Sequence, residues 1–232
     1  MQERIAELTP IYEAVNAPAF KLRLGQALEI AVYRALMESE VQFFGRFTDI
    51  DAHSDDQLFS KEEPPNHIGS RFLPKKRLDF LITHPSGAAG IEVKNLREWI
   101  YPDKPEVKEL LLKCCTLDIV PVLIARRIHY STFSVLSECG LIIHETYNQR
   151  FAFADAALAA KASDKNLLGY HDIRVGNAPD DRLMNFITVN LPAVLPKARS
   201  KFDQFKDLLL AYSENKLPLD QFVILTRQRR QS

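Results

Sequence analysis

The chain alternates helical stripes with short runs that are almost wholly apolar. Leu24, Leu28, Ala31, Ala35 and Leu36 recur at helical spacing, which predicts an amphipathic helix near 21–39. A strand follows near 41–48. Residues 78–82 are apolar except for Asp79, as in a buried strand, and Ile91-Glu92-Val93-Lys94 alternates with the period of a strand. Pro85, Ser86, Gly87 and Gly90 supply turn residues between them, so residues 77–95 read as a hairpin. Pro102 and Pro105 open a helix near 104–117. Residues 119–125 then read as a buried strand, 130–139 as a short helix stopped by Gly140, and 141–144 as another strand. Residues 1–16 suit a leading helix that packs through Ile11 and Val15, with Ile5 and Leu8 as further contacts.

Residues 151–232 read as a helical C-terminal appendage packed on a core formed by residues 1–150. Within it, 153–162 is helical and 169–181 is a polar loop. One helix runs from Met184 to Pro192 and a second from Pro196 to Ser213. Phe202, Phe205, Leu208, Leu209 and Tyr212 recur at helical spacing there and suit core packing, with dimerisation as the sharper alternative. The basic stretch 226–230 reads as a frayed tail within reach of a phosphate.

The hairpin carries the chemistry. With its turn centred near Ser86 and Gly87, Asp79 falls opposite Lys94 and Glu92 lies one diagonal step away, about 5 and 7 Å between Cβ atoms. Glu92 and Lys94 share a face because side chains alternate along a strand. Mg²⁺ takes hard oxygen ligands, which Asp79, Glu92 and the Val93 carbonyl offer. Such an ion acidifies a bound water and stabilises charge on a phosphate. Lys94 is placed to orient that water or to neutralise a developing oxyanion. The competing reading is a solvated salt bridge on an ordinary hairpin. Against it, Leu81 shares a face with Asp79, a strand apolar on both faces is covered on both, and a covered carboxylate needs a partner.

The pattern Asp79…Glu92-Val93-Lys94 resembles the signature of the PD-(D/E)XK nuclease superfamily, which includes restriction endonucleases and archaeal-type Holliday junction resolvases. Many of its members carry a metal-site glutamate on the helix before the sheet. Glu29 stands at the edge of the apolar stripe of the 21–39 helix, one turn after Gly25, whose missing side chain suits close approach of a chain or ligand. The resemblance implies an α/β fold with a restriction-endonuclease-like core, an α-β-β-β-α-β mixed sheet flanked by helices, over roughly 20–147. It implies a metal-dependent DNA endonuclease in which Asp79, Glu92, Lys94 and Glu29 are catalytic. Asp79, Glu92, Val93 and Glu29 would hold Mg²⁺, with Mn²⁺ as a substitute. The sequence departs from the signature in having Leu78 where proline is usual and a long loop or insertion over 49–74. The alternative is a catalytically inactive module of the same fold that binds nucleic acid or a protein partner.

Composition adds limits. The 232 residues are 46% hydrophobic, with 30 basic and 30 acidic residues and zero formal net charge, which disfavours indiscriminate nucleic-acid coating. Local basic patches remain: Arg71, Lys75, Lys76 and Arg77 before Asp79, and Arg126 and Arg127 with His129 after the 119–125 strand. Asn95 and Gln26 are candidate polar contacts, and Trp99 and Tyr101 could stack on a base, with core packing favoured. The acidic stretch 49–63 would repel phosphate and is expected away from a duplex. The histidines, His84, His129 and His144 among them, read as structural. Cys114, Cys115 and Cys139 lack metal spacing and read as reduced thiols. The amino terminus lacks a signal peptide and no apolar run could span a bilayer, so the expectation is a soluble cytoplasmic protein with DNA as its partner and a homodimer possible.

Overall fold

The structure, a computed structural model, describes residues 2–51, 55–74 and 77–231. Helices α1 (Gln2–Asn16) and α2 (Pro18–Met37) lead into two very short strands, β1 (Phe43–Phe44) and β2 (Arg46–Phe47). The single strand expected near 41–48 is broken because Gly45 has φ +99°, which bends the chain out of one sheet and into another. Strands β3 (Lys61–Glu62), β4 (His67–Ile68) and β5 (Arg71–Phe72) make small hairpins in the 49–74 insertion. The main elements follow: β6 (Phe80–Ile82), β7 (Ala89–Lys94), α3 (Pro105–Leu117), β8 (Val120–Ala125), α4 (Tyr130–Leu136) and β9 (Ile142–Glu145). Ser137–Cys139 is a single 3₁₀ turn that continues α4.

Five strands form one mixed sheet in the order β1-β6-β7-β8-β9. The β1–β6 and β6–β7 pairs are antiparallel, and β7–β8 and β8–β9 are parallel. Side chains alternate across it, so it feeds two cores. Phe80, Ile82, Ile91, Val93, Val122 and Ile124 pack with α2, whereas Leu78, Leu81, Leu123 and Ala125 pack with α3. The result is a three-layer helix–sheet–helix arrangement, and covering on both faces explains the near-continuous apolar runs of β6 and β8.

The chain continues through β10 (Gln149–Phe151), α5 (Ala156–Ser163), β11 (Ile173–Val175), α6 (Asp181–Asn185), α7 (Leu191–Ser213) and α8 (Leu219–Gln231). The expected 169–181 loop contains β11, which pairs in parallel with β10. From α6 the helix does not stop at Pro192. It passes through a π-helical stretch, Phe186–Asn190, into α7, with Pro192 in the first turn and Pro196 inside. Proline is tolerated in a first turn because its missing N–H would be unpaired there anyway. The interior Pro196 is outweighed by burial of Leu191, Leu195 and Ala198 on the α2 side of the sheet. Farther along, Phe202, Phe205, Leu208, Leu209 and Tyr212 enter the α3-side core, so α7 spans both cores and the core-packing reading holds. The basic tail is helix α8, not a frayed end: Arg229 donates to Asp207 and to the Gln204 carbonyl, and Arg230 pairs with Glu138. Among the described residues, no helix is long and apolar enough to cross a membrane.

Candidate active site

Asp79 is the pivot. It lies immediately before β6, where that strand leaves the ladder, and its Oδ2 accepts the Val93 N–H at 2.7 Å. The carboxylate thus takes the place that a neighbouring backbone carbonyl would fill, at the seam of the sheet. The ladder pairs Phe80 with Ile91, Leu81 with Gly90 and Ile82 with Ala89. Continued one step, this register sets Asp79 opposite Glu92, not opposite Lys94. The turn is therefore centred near Pro85 and Ser86, because β7 begins as early as Ala89 and takes Gly90 into the ladder, where Leu78 packs too close to its Cα for any side chain.

Three carboxylates meet around this point. Glu29 approaches from α2 and Glu92 from β7. Their negative charges, after burial itself, push the Asp79 carboxyl up to about 7, against the opposing pull of Lys61 and Lys94. Each carboxylate has an ammonium partner. Lys61 Nζ donates to Glu29 Oε2 at 2.7 Å and stands 3.8 Å from Asp79 Oδ1. Lys94 Nζ donates to Glu92 Oε1 at 2.6 Å, and Lys113 Nζ, from α3, donates to Glu92 Oε2 at 2.9 Å. Burial pulls all three lysines toward neutrality, yet the carboxylates outweigh it and each pKa is raised, so all three stay charged.

Two clefts open beside this cluster. One of about 470 Å³ is walled by Leu24, Gly25, Glu29, Lys94, Phe151 and Tyr170, among others. The other, of about 310 Å³, is lined by Lys21, Gly25, Glu29, Lys61 and Asp79. Gly25 belongs to both, and a side chain there would meet no atom within 4 Å. Among the described residues no other segment therefore approaches closely enough to require glycine there.

Comparison with protein-family models, with curated proteins and with solved structures gave no match.

The structure brings together Glu29, Asp79, Glu92, Val93 and Lys94, and separates the other candidates from them. Asn95 is buried: its amide donates to the Leu24 and Arg150 carbonyls and accepts the Arg150 N–H at 3.1 Å, pinning α2 to β10. Arg126 is buried against Asp172, with Nε 2.6 Å from Oδ2, and donates to the Arg97 carbonyl, so it cannot reach a phosphate. Gln26 is paired with the backbone of Phe59. Arg71 pairs with Asp118, at the amino end of β8 and away from the clefts. Arg77 donates to the Pro64 carbonyl and is exposed. Lys75 and Lys76 lie outside the described residues. Arg127 is free of carboxylates among the described residues and stacks with aromatic rings.

Sequence reasoning missed Lys61 and Lys113. Lys61 belongs to the acidic 49–63 stretch, where a duplex is not expected, and its ammonium stands between Glu29 and Asp79. The need of three clustered acids for counter-charge was the available signal. Lys113 carried a clearer one, since it interrupts the apolar stripe Leu110, Cys114 and Leu117 on the buried face of α3.

His144 is buried and stacked on Phe186 at 4.2 Å, and burial pushes it down to about 4, in keeping with a structural role. The three cysteines are free and buried, and burial pushes Cys115 and Cys139 up to about 12, which leaves them unreactive thiols.

Proposed function

We propose that this protein is a divalent-metal-dependent nuclease, a DNA endonuclease of the PD-(D/E)XK type. The observation that carries the reading is the convergence of Glu29, Asp79 and Glu92 from separate elements beside the ammoniums of Lys61 and Lys94, with Glu29 lining both clefts and Asp79 one of them. The element order supports it: α2, β1, β6, β7, α3 and β8 follow the α-β-β-β-α-β succession expected of a restriction-endonuclease-like core, with the antiparallel pairs first and the parallel pair last.

The donor set fits Mg²⁺ or Mn²⁺. Hard carboxylate oxygens are gathered where burial first, and then their mutual repulsion, raises the Asp79 pKa, and a small dication relieves such repulsion. Among the described residues no three His, Cys, Asp or Glu side chains form a ready-made cage. Lys61 instead stands between Glu29 and Asp79 and would have to swing aside. Glu29, Asp79 and Glu92 would hold the ion, which when bound supplies charge stabilisation to the phosphate and acidifies the attacking water.

The protein's own groups do the rest. Val93 N–H fixes the Asp79 carboxylate, and Lys113 fixes Glu92. Lys94 stays an ammonium, so it acts by orienting water and stabilising negative charge, not by removing a proton.

The test is cleavage of plasmid and branched DNA with Mg²⁺ or Mn²⁺ by wild type, Asp79→Ala and Lys94→Ala. Loss of cleavage in both variants is expected, and equal activity in all three would sink the assignment. One observation favours a second reading, a non-catalytic binding module: each of the three carboxylates already has a lysine beside it. Calorimetric titration with Mg²⁺ separates the two, because a module of that kind has no carboxylate-dependent metal site.

A further inference from the structure

Beyond the carboxyl ends of β7, β8 and β9 the chain leaves aromatic rings in solvent. Trp99 is 47% exposed, Tyr101 41% and Tyr147 36%. They come from two segments, after β7 and after β9, and form one array with Arg127 and His129 after β8. The Tyr101 ring stacks on the His129 imidazole with centroids 4.3 Å apart, and Trp99 meets the same imidazole edge-on at 6.3 Å. The Arg127 guanidinium lies 5.7 Å from the Trp99 ring and 4.9 Å from Tyr147, and Arg182 covers Tyr147 at 4.2 Å. Single exposed aromatics need no explanation, but a contiguous set marks a contact surface.

The charges nearby narrow what it contacts. Duplex DNA draws most of its affinity from lysines and arginines placed on phosphates. Among the described residues around the clefts most of those side chains are already engaged, Lys61 with Glu29, Lys94 and Lys113 with Glu92, Arg126 with Asp172, and Arg23 with Asp155, while Lys21 stays exposed. Formal net charge is zero. Among the described residues, Arg127 and Arg182 have no carboxylate partner and lie on ring faces. Rings interleaved with stacked guanidiniums suit unpaired bases, which offer a π-face whatever their sequence. A protein surface would be served as well by rings alone, so the interleaved cations favour a polyanion.

We infer that Trp99, Tyr147 and Arg127 form a stacking platform for the bases of single-stranded DNA, so that the substrate is single-stranded or splayed DNA and not intact duplex. This rests on the nuclease reading for the position of the scissile phosphate. Trp99 follows Lys94 by five residues, so their Cα atoms are at most about 17 Å apart, a span of a few nucleotides.

Trp99 is the sole tryptophan of the chain, which makes the platform its own reporter. Full-length protein in EDTA, where no cleavage occurs, is titrated with an oligothymidine of about a dozen nucleotides and with a blunt duplex of the same length. The oligothymidine should quench Trp99 emission and bind roughly tenfold more tightly than the duplex. With a fluorescein-labelled oligothymidine, Trp99→Ala, Tyr147→Ala and Arg127→Gln should each weaken binding by about tenfold. Phe72→Ala, an exposed aromatic of β5, should bind as wild type. Asp79→Ala should still be quenched although it no longer cleaves.

Absence of quenching, or equal affinity for duplex and single strand, overturns the platform even if plasmid cleavage persists. So does a shift of Trp99 emission with protein concentration that oligothymidine leaves untouched, which would mark a contact between copies. Quenching without cleavage in Mg²⁺ supports the platform and removes the nuclease reading.

Discussion

Lys113 holds Glu92 from beneath the sheet: its Nζ lies 2.9 Å from Glu92 Oε2, and the two side chains are only 5% and 8% exposed. A buried carboxylate stripped of one partner keeps its desolvation penalty and loses the compensating attraction. Lys113→Met should destabilise the protein by roughly 2–4 kcal/mol, read as a lower urea midpoint at unchanged slope. Adding Glu92→Gln should restore most of the loss. If the double variant is no better than the single one, the pairing is not what stabilises this region.

Asp79 works against the fold at the pH where it would bind metal. Burial and the neighbouring carboxylates push its carboxyl up to about 7 in the folded protein, from 3.8 when free. Between those values the folded chain retains a proton that the unfolded chain has released. The contribution of this one group to stability is therefore most favourable below about pH 4, declines as pH rises toward 7, and then levels off. Asp79→Asn should raise stability above pH 7 by roughly 1–3 kcal/mol and leave it unchanged near pH 4. Thermal melts at the two pH values check this, and a variant advantage that persists in acid would contradict it. Metal affinity of the wild type should climb through the same interval, because a proton and a cation compete for the carboxylate.

Lys61 occupies the place a cation would take between Glu29 and Asp79. Removing its charge while keeping its bulk, as in Lys61→Met, should tighten Mg²⁺ or Mn²⁺ binding by about tenfold, since an opposing charge at this range is worth at least 1 kcal/mol even near the surface. Isothermal titration with Mn²⁺ measures it. Weaker binding in the variant would show that Lys61 supports the site instead of competing for it.

Much of the architecture was legible before the structure. The helices near 21–39 and 104–117 and the strand at 119–125 follow from periodicity, because burial on one face of a helix or both faces of a strand is written directly in residue order. The convergence of Asp79, Glu92 and Lys94 was legible for the same reason. The hairpin register was misjudged by two residues, since Gly87 looks like a turn centre while the packing of Leu78 against Gly90 decides the pairing. Asn95 and Arg126 were misread because their partners, Arg150 and Asp172, lie far along the chain and only folding reveals that they are buried.

That misreading has a testable side. Asn95 makes three hydrogen bonds that join α2 to β10. Asn95→Ala should cost about 1–3 kcal/mol of stability by leaving buried backbone groups unpaired, with oligonucleotide affinity of the folded fraction unchanged. A selective loss of binding at full stability would return Asn95 to the interface.

Gly45 bends β1 into β2, and a methyl group on it would stand 2.7 Å from the Asp79 carbonyl oxygen. Position 45 therefore contributes by what it lacks. In a saturation screen scored on DNA cleavage it should tolerate almost nothing, and so imitate a reactive group although it has no side chain to react. Its substitutions should differ from those at Asp79 in one respect: shifting the acid's backbone damages folding and turnover together, whereas Asp79→Asn separates them.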